Sequence, residues 1–420
     1  MTAPALSELE ELLGPGTVSG GRASGEPGPV TVRPDSVKGV SSVLALANAR
    51  GWAVLPRGNG TKLGWGGPVT ACDLVLDTTG LDQLVEHEPG DLICVAGAGM
   101  TLGRLQQIVS EAPGYRQRLM LDPPQGARAT LGGLVATRAS GPLRTRYGTM
   151  RDLLLGAQFV LADGTVARTG GKVVKNVAGY DLDKLLVGSL GGLAVLVELA
   201  LRLHPVPSFR TTVFLEEATP ERAASFLTSL RKAPAAPSVA EVLWPERSLL
   251  VQFDSSQQGA QRQAELVAAI DPGARLLDPA EAAHRETALS ARPWEMPGVV
   301  AGLALPLSRI PALLHLADAL ERQGVGFSLS LRGTVGVGEI RLPPDEPTIA
   351  QFRSELESID GHLEIHRAEG HLGELGSGTS DPVSRSLAAA VKRALDPRGI
   401  LAPGRLERIS PVAPSGTGDG

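Results

Sequence analysis

Three glycine pairs, Gly132-Gly133, Gly170-Gly171 and Gly191-Gly192, stand between short apolar runs in the stretch 129–197. Glycine lacks a Cβ, so its backbone reaches positive φ and comes close to a ligand. Gly132-Gly133 opens the apolar run 134–136. That places its amides at a predicted helix N-terminus, where unpaired N–H groups attract phosphate. A second loop, PRGNGTKLGWGG at 56–67, combines Gly58 and Gly60 with Arg57, Asn59, Thr61 and Lys62. A pyrophosphate needs convergent N–H donors and positive charge, and this loop offers both. A hairpin turn at Asn59-Gly60 is the competing reading of the same residues.

Two familiar phosphate patterns fail. GAGMTLG at 97–103 follows a predicted strand and opens a predicted helix, but a dinucleotide fingerprint needs glycine where Leu102 stands. GNGTKLG misses in the same way at Leu63. The Gly171-Lys172 pair lacks both the upstream glycine and the following Ser/Thr of a P-loop. A tightly bound nicotinamide cofactor is therefore not supported. No Cys–His or Gly-x-Ser-x-Gly arrangement offers a nucleophile.

The bulk composition narrows the classes further. A net charge of -5 gives no basic face for nucleic acid, and 3% aromatic residues give no base-stacking platform. Cys72 and Cys94 are isolated, which argues against a disulfide framework, a zinc site or an iron–sulfur cluster of the chain's own. No apolar run is long enough to cross a bilayer, and no export signal is legible at the start. A cytoplasmic protein, peripheral at a membrane only through partners, is the expectation.

The elements that would carry these loops alternate. Residues 1–29 read as a short helix and a Gly/Pro/Ser-rich connector, expected to be a mobile lead-in. Strands are predicted at 30–34, 52–55 and 74–76, with a helix over 37–50 and Pro56 ending the second strand. Two more strands flank the Pro89-Gly90-Asp91 turn, and a hairpin turns at Asp163-Gly164. The apolar run 191–203 predicts a buried strand. From Thr211 onward strands alternate with amphipathic helices and no phosphate motif recurs, which predicts an α+β cap.

The segments GARATLGGLVATRASG, RYGTMRDLLLGAQFVLADG and NVAGYDLDKLLVGSLGGLAVLV, in this order and spacing, closely resemble the FAD-binding domain of the vanillyl-alcohol oxidase and p-cresol methylhydroxylase (PCMH) superfamily. The likeness is strongest to its branch of glycolate oxidase subunits and D-2-hydroxyacid dehydrogenases. The resemblance implies an α+β chain. A PCMH-type FAD-binding domain of two α/β subdomains fills 30–206, and the cap fills 207–383. The segment 384–410 returns to the FAD domain, and 411–420 is a disordered tail.

The resemblance also implies which residues approach the flavin. Arg57, Gly58, Asn59, Gly60 and Thr61 match the pyrophosphate loop. Thr130, Leu131, Gly132 and Gly133 would approach the pyrophosphate and ribityl chain. Ala139, Ser140 and Gly141 would follow near the isoalloxazine, with Tyr147-Gly148 closing the loop. Gly191, Leu193 and Val195 would contact the adenine half. Some relatives attach flavin through a histidine where Thr61 stands here, so FAD is expected to be non-covalent. Asparagine is common in relatives where this chain has Leu134, Arg138 and Ala402.

A hydroxyacid oxidase needs a cation for the carboxylate, a base for the hydroxyl proton and a flavin to take hydride. Arg332 and Arg341, on or beside predicted cap strands, are candidate carboxylate clamps, with surface solvation as the competing fate. In a strand, His362, Glu364 and His366 would share one face, with His371 beyond. A polar sheet edge is the preferred reading there, because the family's metal-ligand set is not matched; no metal is expected, and His366 stays a candidate for catalysis.

The resulting expectation is the FAD-binding subunit of a 2-hydroxyacid (glycolate) oxidase complex. It would pass electrons to an iron–sulfur subunit and work beside a larger homologous flavoprotein. A self-sufficient D-lactate dehydrogenase-like enzyme and a non-catalytic flavin-holding partner are the alternatives.

Overall fold

Among the described residues three large sheets and a two-stranded ribbon, Gln117–Arg118 with His204–Pro205, carry the chain, and the glycine-rich loops sit between the first two large sheets. The computed structural model describes residues 3–20, 28–172, 181–291, 294, 296–368 and 382–406. The first sheet runs in the order Val18–Gly20, Val30–Val32, Leu74–Asp77, Val54–Arg57. Its last three strands are parallel, so crossovers must cover it. The helix Val37–Arg50 does this. Ser36 caps it by accepting from Gly39 N, and Gly51 ends it at φ 70°. Val40, Val43, Leu44 and Ala47 form its buried stripe at helical spacing.

Two details differ from the sequence reading. Residues 3–20 are docked rather than a loose lead-in. The helix Ala3–Leu13 seats Leu9 in the first core, Arg50 pairs with Glu8 at 2.8 Å, and Val18–Gly20 adds an edge strand. Leu6, Leu9 and Leu13 share one face and bring that helix onto the sheet. Pro56 lies inside its strand rather than ending it, at the end of the sheet order where a missing N–H is tolerated.

The second sheet is antiparallel, in the order Leu84–Glu88, Ile93–Gly97, Val195–Arg202, Leu154–Val160, Val166–Gly170. The Asp163-Gly164 hairpin forms as predicted, with Gly164 at φ 89°. The predicted 191–203 strand starts only at Val195, because Leu190 and Gly191 turn the chain at φ 52° and 76°.

The cap is one eight-stranded antiparallel sheet. Its order is Ala274–Leu276, Phe209–Leu215, Ser248–Ser255, Val239–Trp244, Ser328–Arg332, Val337–Leu342, Val299–Ala304, His362–Arg367. The helices Pro220–Lys232, Gln257–Ala268, Ile310–Arg322 and Glu346–Ser358 bury apolar faces in the largest core. The strands Ala274–Leu276 and Ser328–Arg332 and the helix Pro279–Ala291 are additions to the sequence reading.

After the helix Pro382–Leu395 the chain returns to the first sheet. Val54 N donates to Ile400 O, and Ala402 N donates to Val54 O, both at 2.8 Å. Buried Lys392 fastens this return. Its Nζ donates to Gly192 O at 2.7 Å, Leu401 O at 2.7 Å and Asp396 at 2.6 Å. Among the described residues no helix is long and apolar enough to cross a membrane. His371, residues 173–180 with the start of the third motif, and the expected tail lie outside the described residues.

Candidate functional site

A glycine-lined cavity of about 680 Å³ opens between the first two sheets. One wall is the loop that leaves the strand Val54–Arg57. Gly58, Asn59, Gly60 and Thr61 line it, and their main-chain N–H groups make no hydrogen bond among the described residues. Gly60 sits at φ 71°, and the Asn59 side chain is anchored by donating to Arg128 O at 2.9 Å. A Cβ on Gly58 would fall 2.1 Å from Thr130 Oγ1, so only glycine lets this loop rest on the second glycine segment.

That second segment behaves differently from its sequence reading. The amide of Gly132 donates to Ala98 O at 2.8 Å and that of Leu131 to Met100 O at 2.9 Å. Gly133 N donates to its cap, Thr130 Oγ1, at 3.3 Å. These donors are spent inside the protein and do not point unpaired at a ligand. Gly132 instead permits close packing: a Cβ would meet Ala98 at 3.0 Å. The third wall is the Leu190–Gly191 turn with Ala194 and Val195.

Two cations face this cavity without an acid. Lys62 is 8% exposed, donates to Pro124 O at 2.9 Å, and burial pulls its pKa down to about 8. Arg405 is 6% exposed and donates to Leu63 O, but its Nε has no partner among the described residues, and burial again lowers its pKa. Among the described residues no carboxylate lies within ion-pair distance of either. Buried charge without a counter-charge is costly, and a bound dianion removes that cost. Arg57, by contrast, is held by Asp77 at 3.3 Å.

A second cavity of about 740 Å³ shares Thr137 with the first and lies between its walls and the cap sheet. Trp65 and His366 stack in it at 4.0 Å between ring centroids, 5° from parallel, and Trp294 stacks on both. A Cβ on Gly302 would fall 2.5 Å from His366 Cε1, so the cap strand makes room for the ring. His366 Nδ1 has no hydrogen-bond partner among the described residues, and burial lowers its pKa, which keeps the imidazole neutral near pH 7.

Three arginines and two glutamates set the charge of this cavity. Arg332, buried, pairs with Glu339 and lies 3.3 Å from Glu241. Glu241 stands behind it, fully buried, accepting from Ser330 Oγ at 2.6 Å. Arg138 pairs with Glu364 at 3.5 Å. Arg144 has no ion pair among the described residues; its pKa is lowered by burial and then by Arg332 and Arg138.

Residues 28–170 match the FAD-binding domain family. The chain carries an FAD binding domain. It is similar to D-lactate dehydrogenase of Archaeoglobus fulgidus, with 29% identity over 90% of this chain and 91% of that protein. It is also similar to glycolate oxidase subunit GlcE of Escherichia coli, with 28% identity over 83% of this chain and 91% of that protein. Two solved structures share its fold over 96% of both chains. They are p-cresol methylhydroxylase with substrate bound (TM-score 0.71, 16% identity) and 4-ethylphenol oxidase from Gulosibacter chungangensis (TM-score 0.74, 18% identity).

Arg57, Gly58, Asn59, Gly60 and Thr61 line the glycine-lined cavity, as do Thr130, Gly132, Gly133, Gly191 and Val195. Ala139 and Ser140 line the second cavity. Leu131 and Leu193 lie outside both, with side chains in the core of the second sheet. Gly141 packs with its Cβ position 2.0 Å from Asp122 O. Tyr147 turns its ring edge-on to His204, and Gly148 packs on Asp152. Of the cap candidates, Arg332 and His366 reach the second cavity. Arg341 does not line it; its Nη1 donates to Pro297 O at 3.4 Å. His362 and Glu364 line it with His366, but Glu364 is held by Arg138. Among the described residues no group of three His, Cys, Asp or Glu could hold a metal.

Arg144, Arg405 and Trp65 were not legible as site residues from sequence. Each sits in an ordinary local pattern, and only the fold shows it desolvated at a cavity wall.

Proposed function

We propose that this chain oxidises a small 2-hydroxy acid with FAD. We further propose that it works as a subunit beside a larger homologous flavoprotein and an iron–sulfur protein in the cytoplasm. The likeness to a D-lactate dehydrogenase and a glycolate oxidase subunit supports the reaction class and the assembly. The observation that carries the substrate class is Arg144, a desolvated guanidinium with no acid of its own beside the FAD-binding residues.

FAD, when bound, supplies the hydride acceptor. The loop amides of 58–61 with Lys62 and Arg405 would hold its diphosphate. In the second cavity Arg144 clamps the substrate carboxylate through its planar fork. His366, neutral and with Nδ1 unpaired, takes the hydroxyl proton. Trp65 and Trp294 fix that ring and keep water from it.

The test is anaerobic addition of glycolate or D-lactate to the purified flavoprotein, alone and with its native partners. Bleaching of the visible flavin band supports the reading; an unreduced flavin in both preparations refutes it. Full turnover by the isolated chain with an artificial acceptor would favour a self-sufficient enzyme.

A further inference from the structure

One ion pair crosses the second cavity from the FAD-binding domain to the cap. Arg138 ends the helix Leu131–Thr137 in the left-handed region, at φ 55°. Its guanidinium meets Glu364, on the cap strand His362–Arg367, at 3.5 Å. The two side chains are 58% and 31% exposed, which places this pair at the open side. The Arg332–Glu339 pair lies deeper, at 5% and 12%. Histidines aside, the lining holds three cations and two anions, and the surplus cation is Arg144.

We propose that Glu364 determines specificity by confining this cavity to 2-hydroxy acids with one carboxylate. The inference rests on the reading of Arg144 as the carboxylate anchor. A monocarboxylate on Arg144 leaves the cavity neutral. A second carboxylate on the same substrate finds Arg138 and Arg332 already occupied and meets Glu364 and Glu339 as like charges. Repulsion built against the wrong ligand is as effective a discriminator as attraction for the right one. Glu364→Gln keeps the side chain's shape, removes its charge and frees Arg138 as a second anchor.

The test is equilibrium titration of the full-length FAD-loaded protein, followed by the perturbation of the flavin spectrum. The probes are oxamate and acetate as monoanions, which carry no hydroxyl to be oxidised, and tartronate and D-malate as dianions. The unmodified protein should bind the monoanions at least about tenfold tighter, the factor set by one uncompensated charge contact of about 1.4 kcal/mol. In Glu364→Gln that ratio should fall by about tenfold or reverse, and Arg138→Gln should not show this gain. Thermal unfolding of each variant reports whether it is folded, and Glu364→Asp, which keeps the charge, should retain the preference. Equal binding of both classes by the unmodified protein, or an unchanged ratio in Glu364→Gln, overturns the proposal. If neither class perturbs the flavin in any of these proteins, the Arg144 anchor fails and the inference falls with it.

Discussion

Arg332 Nε lies 3.3 Å from Glu241 Oε1 inside the cap sheet, with neither residue reaching solvent appreciably. Glu339 holds the same guanidinium from the cavity side. One cation thus serves two carboxylates. Burial is the larger influence on Glu241 and pushes its pKa up to about 7, although Arg332 opposes it. Removing Arg332 strands both acids: Arg332→Met should cost about 3–5 kcal/mol in chemical denaturation.

The same group predicts a pH dependence. Glu241 binds its proton more tightly folded than unfolded, so the folded state holds more protons between about pH 4.5 and 7. Its contribution to stability is therefore complete below that window and is lost as pH rises through it, with a slope of at most about 1.4 kcal/mol per pH unit. Ionised Glu241 also offsets the surplus charge of the substrate cavity, so KM for a monocarboxylate should rise above pH 7. Glu241→Gln should flatten both profiles, as read by denaturation and by steady-state kinetics.

Lys62 and Arg405 should govern cofactor affinity. Lys62→Met or Arg405→Met should each weaken FAD binding by about 10–100-fold, the worth of a hydrogen bond to a charged group. Bound phosphate favours protonated Lys62, whose pKa without that charge is about 8. FAD binding should therefore take up a proton above that pH and weaken as pH rises further. Fluorescence titration of the apoprotein across pH checks both statements, and Lys62→Met should remove the slope.

Leu9 tests the docking of the N-terminal helix. It is fully buried against the first sheet, so Leu9→Ala should lower stability by about 2–5 kcal/mol. A surface lead-in would show almost no change.

Arg144→Gln should raise KM for glycolate or D-lactate by about tenfold or more, while FAD content stays near that of the unmodified protein. Parallel measurement of flavin stoichiometry and steady-state kinetics separates the two effects.

Much of the FAD-binding domain was legible because local signals agree with the fold. Ser36 and Gly51 bracket a helix, and Asp163-Gly164 turns a hairpin. Gly60 and Gly191 were also legible, since their positive φ is a local demand. The departures at Arg138 and Ala402 acquire a meaning only in the structure. Both sit at positive φ, 55° and 41°, where asparagine is tolerated better than either. The Gly132 amide was misread because its acceptor, Ala98 O, lies on a distant stretch of chain, and the Gly133 amide is taken up by the Thr130 cap. Arg341 and Arg332 look alike along the sequence; only strand register sends one to Pro297 and the other into the acid pair. Charge that lacks a partner is a property of three-dimensional surroundings, which is why Arg144 and Arg405 could not be singled out beforehand.

The account stands on cations with no acid partner among the described residues: buried Lys62 and Arg405 for a diphosphate, and half-buried Arg144 for a carboxylate. Its most direct test is a crystal structure of the protein with FAD and oxamate. The account predicts the diphosphate within ion-pair distance of Lys62 and Arg405 and the oxamate carboxylate on Arg144. Phosphates remote from both cations, or oxamate bound at Arg341 with Arg144 empty, would contradict it.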